Sequence, residues 1–155
     1  MSGREQLPEP AAQLLDVARR VVPRWLTRIT VEAAARGGVD PASFGDEIEA
    51  VARESTASTL AELEALLALD VDEQPVNPLT VLRGAIAGPT ALLRRHGVRP
   101  RPVDPFIVER FPDDVYGLGP AAWADIDQEL HEPGMMWGAW KAMTVLRRRR
   151  DEGLR

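Results

Sequence analysis

Apolar residues recur along this chain at spacings of three and four, and nowhere do they alternate with polar ones for the length of a strand. The first stripe runs Leu15, Ala18, Val22, Trp25 or Leu26, Ile29 and Ala33. It predicts a helix ended by Gly37-Gly38, with a kink or break near Val22 because Pro23 removes a backbone donor. Residues 1–10 precede it with two prolines and no apolar period, which reads as a flexible lead-in. Asp40-Pro41 is a helix start, with Ser43 and Asp46 as a competing one. The helix that follows carries Ile48, Val51, Ala52, Leu60, Leu63, Leu66 and Leu67, with Ser55, Thr56, Ser58 and Thr59 in its middle. Small hydroxyl residues there allow a neighbouring helix to come close.

Asn77-Pro78 repeats the cap-plus-proline signal. A third helix carries Leu79, Leu82, Ile86 and Leu93, is bent by Gly84, Gly88 and Pro89, and closes at Gly97. Residues 98–103 are held extended by their prolines, and Asp104-Pro105 opens a short helix ending near Arg110. A loop-rich stretch with one short helix after Pro120 leads to a final helix from Pro133-Gly134 to about Arg150. Its expected buried stripe is Met136, Ala139 or Trp140, Met143 and Leu146. The fold class is therefore all-α. It is a single-domain bundle of four to five main helices over residues 11–150, with an aromatic, loop-rich segment before the last helix and a frayed tail at 151–155.

Composition sharpens this picture. A chain of 155 residues with 45% hydrophobic and 28% charged residues is ordinary globular material. The absence of cysteine excludes disulfides, thiolate metal sites and a cysteine nucleophile, and fits a cytoplasmic setting. No apolar run is long enough to span a bilayer, and the first ten residues are no signal peptide, so no membrane is implied. A net charge of −5 argues against nucleic acid as a partner. Lys141 is the single lysine among nineteen basic residues, which points to a GC-rich genome.

Rings and carboxylates concentrate late in the chain. Six of the eight aromatic residues fall between Phe106 and Trp140, while no Lys or Arg lies between Arg110 and Lys141. Large rings bury roughly 150–250 Å² each, so this segment is expected to supply much of the core packing. Tyr116, Trp123, Trp137 and Trp140, with Lys141 beside them, are also the candidate ligand or partner surface. Asp113, Asp114, Asp125, His131 and Glu132 are the candidates for acid/base chemistry, and Asp125, Asp127, His131 and Glu132 for a metal. Read as a calcium loop from Asp125, the segment fails, because Leu130 stands where glycine is required and Met136 where the bidentate Glu belongs. His131-Glu132 lacks the second histidine of a zinc-protease helix. The bland alternative is that these carboxylates cap turns and pair with the arginines at 94–101 or 147–150. The run Arg147–Arg150 could contact phosphate, but Asp151 and Glu152 follow it, and helix C-termini attract cations anyway. No phosphate loop, dinucleotide fingerprint or nucleophile elbow occurs, and the sequence leaves any cofactor unknown.

Asn77-Pro78-Leu79, Leu82-Arg83, Pro89-Thr90, Leu93 and Gly97-Val98 precede FPDDVYGLGPAAWADID at 111–127, LHEPG at 130–134, WGAWKA at 137–142 and the arginine run. Together these resemble a family of short actinobacterial (high-GC Gram-positive) proteins over most of the chain beyond residue 40. The resemblance implies a cytoplasmic actinobacterial setting and carries over no activity and no catalytic residue. Trp140 departs from the pattern, which has a small residue there. Three functions follow as expectations. The first is a non-enzymatic helical protein that binds a protein partner or itself through the aromatic, acidic C-terminal half. The second is a metal-dependent or acid/base enzyme built on the acidic cluster. The third is a nucleic-acid-binding regulator using the terminal arginines.

Overall fold

Helix α1 (Glu9–Arg36) is the axis of the molecule in the computed structural model, which describes residues 7–153. Pro8 caps it and Pro10 sits in its first turn, where a missing N–H costs nothing. Leu14, Leu15, Ala18, Val21, Val22, Trp25, Leu26 and Ala33 form a wide buried stripe. The helix runs unbroken through Pro23, so of the kink or break expected near Val22 the break does not occur. An interior proline costs about 3 kcal/mol. Each large side chain buried on either side of it returns about 1.5–3 kcal/mol, so packing outweighs the lost hydrogen bond. The helix also starts inside the expected lead-in, of which residues 1–6 lie outside the described residues.

Asp40 caps a 3-10 turn at Pro41–Phe44 by accepting from Ala42 N at 3.0 Å, and α2 (Gly45–Ala68) follows directly. The bent third helix is two pieces, α3 (Pro78–Arg83) and α4 (Ala87–Arg95), joined by a 3-10 turn. Gly88 faces Ser55 of α2, and a methyl group on it would lie 3.2 Å from Val51 Cγ1. The small residues of α2 thus make room for α4, while Thr56 Oγ1 donates back to Ala52 O at 2.6 Å. Gly97 turns the chain out of α4 with φ +67°.

Short α5 (Pro105–Arg110) is capped by Asp104, and α6 (Trp123–Ile126) lies in the loop-rich stretch. Helix α7 (His131–Gly153) closes the fold. Residues 151–153 of the expected frayed tail are helical, and 154–155 lie outside the described residues. Helix α1 touches α2, α4, α6 and α7. Tyr116, Leu118, Ile126, Leu130 and Trp137 join its core, so the late ring-rich segment is built into the body. The chain is all-α, with no strand among the described residues. No helix among those residues is long and apolar enough to cross a membrane.

Candidate interaction surface

The ring-rich residues do not form one open face. Tyr116 is 2% exposed, and its hydroxyl donates to Val98 O at 2.9 Å, which ties the late loop to the extended segment after α4. Burial raises the Tyr116 hydroxyl above the ordinary tyrosine pKa, with the charge of Arg94 pulling weakly the other way. Trp137 is 4% exposed, with Lys141 Nζ 5.2 Å from its ring centroid. Lys141 also donates to Gln74 Oε1 at 3.2 Å. Trp123 and Trp140 are half-buried against the core. Tyr116 and Trp137, expected on a ligand or partner surface, are interior groups.

The acidic candidates are spread over separate tasks. Asp114 is buried and accepts from Leu118 N and Gly119 N, each at 2.8 Å. Asp125 accepts from Ala121 N and Ala122 N at 2.9 Å, satisfying donors at the start of α6. Asp127 accepts from Glu129 N at 2.9 Å. Asp113, His131 and Glu132 are exposed. Among the described residues no group of three or more His, Asp or Glu side chains is placed to hold a metal ion, so Asp125, Asp127, His131 and Glu132 are not a metal set. The physical reason is local: turns with orphan N–H groups claim the nearest carboxylates.

The arginine partners also differ from those expected. Glu129 meets Arg20 at 3.0 Å and Arg24 at 3.8 Å, while Arg28 Nη2 donates to Ile126 O at 3.2 Å. Three arginines four residues apart on α1 therefore clasp the acidic segment. From the terminal run, Arg148 turns inward to Asp70 and to Asp72, the latter at 2.8 Å. Its hydrogen bond holds Asp70 below the usual carboxylate range.

Helix α7 presents its expected core stripe to solvent. Met136 is 50% exposed, Met143 54% and Leu146 59%, with Ala139 exposed between them and Met135 at 58% beside them. The inner face is instead Gly134 and Trp137, flanked by Trp140, Lys141, Thr144 and Arg148. Both faces are apolar over the first turns, and the one with rings and a glycine wins because it buries more area at closer approach.

The outward stripe has a definite register. Residues 132, 136, 139, 143, 146 and 150 follow one another at spacings of 4, 3, 4, 3 and 4, which read the same in both directions about Lys141. Glu132 and Arg150 stand at its two ends, both exposed and neither in an ion pair among the described residues. No protein-family model, curated protein or solved structure matches this chain.

Proposed function

We propose that this chain is a cytoplasmic helical interaction protein that pairs with a second copy of itself through the outward face of α7, the two helices antiparallel. The observation that carries this reading is the two-way symmetry of the stripe. A two-fold axis at the level of Lys141 sets Met136 against Leu146, and Ala139 against Met143, in both directions at once, as an isologous interface requires. A small residue faces a long flexible one, which suits helix axes about 8–10 Å apart. The seam from 132 to 150 is about 27 Å long, and its heptad spacing is that of a short coiled coil held in place by the body behind it.

Charge favours the same orientation. Antiparallel pairing brings Glu132 to Arg150 at both ends, whereas a parallel pair sets Glu132 against Glu132 and Arg150 against Arg150. The helix dipoles also oppose. The lack of cysteine supports the cytoplasmic setting.

Light scattering coupled to size exclusion tests the reading. The parent chain runs as a dimer, Glu132→Arg and Arg150→Glu each shift it toward monomer, and the double reversal restores the dimer. A parent chain that stays monomeric at high concentration, or single reversals without effect, ends it.

A further inference from the structure

On the flank built from α3, α4 and α5, arginines from three separate helices meet at one groove. Arg83 ends α3, Arg94 lies in the last turn of α4 and Arg110 ends α5. The groove they line holds about 510 Å³, within the range of small-molecule sites. Its walls are mostly apolar, with Ile86, Ala87, Thr90 and Ala91 on one side of the sequence and Phe111 and Pro112 on the other.

The three guanidinium groups are not equivalent. Arg83 is spoken for: Nε and Nη2 donate to Pro120 O at 3.1 and 2.5 Å, and its Cζ lies 4.5 Å from the Phe111 ring centroid. Arg110 approaches the same ring at 5.5 Å. Neither Arg94 nor Arg110 has an ion pair or side-chain hydrogen bond among the described residues. Of the two carboxylates lining the groove, Asp114 already has both oxygens taken by backbone N–H groups. Arg94 and Arg110 thus stand beside an aromatic wall with no carboxylate partner among the described residues, and the three guanidiniums of the groove outnumber its two carboxylates, Asp113 and Asp114.

We propose that this groove binds an apolar monocarboxylate, its hydrocarbon body against Phe111 and the α4 wall and its carboxylate on Arg94 and Arg110. Guanidinium pairs strongly with carboxylate and is cheaper to desolvate than ammonium, so an apolar setting suits it. An apolar cation is excluded by the same charges. The site is independent of the α7 face, since no residue of α7 lines it.

Titration calorimetry with decanoate below its micelle concentration is the test, with 2-naphthoate as the aromatic arm and decyltrimethylammonium as the cationic control. One or both acids bind and the cation does not, and Arg94→Gln and Arg110→Gln each weaken binding by about tenfold. Gly84 also lines the groove, and a Cβ there meets nothing within 4 Å. Gly84→Leu adds bulk at the groove lining and is expected to weaken binding, with circular dichroism and melting as the check that the fold is kept. The proposal is overturned by acid binding that the double Arg94→Gln, Arg110→Gln variant leaves unchanged. Binding of the cation as strong as that of the acids, or no binding of either acid at millimolar concentration, overturns it equally.

Discussion

Gly134 of α7 lies directly beneath the indole of Trp123: a methyl group at that position would come within 2.5 Å of both Cγ and Cε2 of the ring. The contact fixes how closely α6 and α7 approach. One turn later, Gly138 has open space where its Cβ would be. The same substitution therefore has opposite signs at the two sites. Gly134→Ala is expected to destabilise the fold by about 1–3 kcal/mol through overpacking. Gly138→Ala is expected to stabilise it by about 0.4–1 kcal/mol by restricting the unfolded chain. Urea unfolding of the two variants checks both, and equal signs would refute the contact.

Tyr116 is the sole tyrosine, and its buried hydroxyl links the late loop to Val98. Tyr116→Phe should cost about 0.5–1.5 kcal/mol for the lost hydrogen bond. Its raised pKa adds an alkaline signature. Below the unfolded value of about 10 the hydroxyl is neutral in both states and its contribution is whole. As pH climbs above that value the unfolded chain sheds the proton first, so stability falls until the raised folded value is passed. Unfolding followed against pH, with tyrosinate absorbance as the direct probe, should show that alkaline slope in the parent and not in the Phe variant.

Asp70 behaves in the opposite direction. Its folded pKa is lowered, chiefly by the hydrogen bond from Arg148, so the contribution is present above the ordinary carboxylate value of about 3.9 and is lost as pH falls through the folded one. Acid should thus loosen the second half of α7 from the turn at 71–73 before the core gives way. Amide chemical shifts across residues 144–150 report this, and in Asp70→Asn the half-helix should be loose already at neutral pH, with less left to lose in acid.

Local signals in the sequence were good guides to this fold. Asp40-Pro41, Asp104-Pro105 and Gly97 mark element ends where the chain actually turns, because each acts within a few residues of itself. Pro23 does not end α1, because the force that carries the helix through it comes from partners far along the chain. The α7 stripe misleads for a related reason: spacing gives a face but not which neighbour covers it, and here Gly134 and Trp137 took the inner side. The carboxylate partners were equally hidden, since Glu129 finds Arg20 across more than a hundred residues. A visible clue was present, for Arg20, Arg24 and Arg28 repeat every four residues on α1. The groove beside Phe111 needed three helix ends brought together, which no single stretch of sequence displays.

The packing of α1 against α7 joins the first and last helices among the described residues. During translation, α1 emerges from the ribosome long before its counterpart exists, and the flank that α7 covers stays bare until that helix is delivered. Helices α2 and α4 can cover the other sides of α1 meanwhile. A nascent chain halted before residue 131 is therefore expected to expose greasy surface and to be a substrate for chaperones, so that closure of the body is timed by the completion of α7.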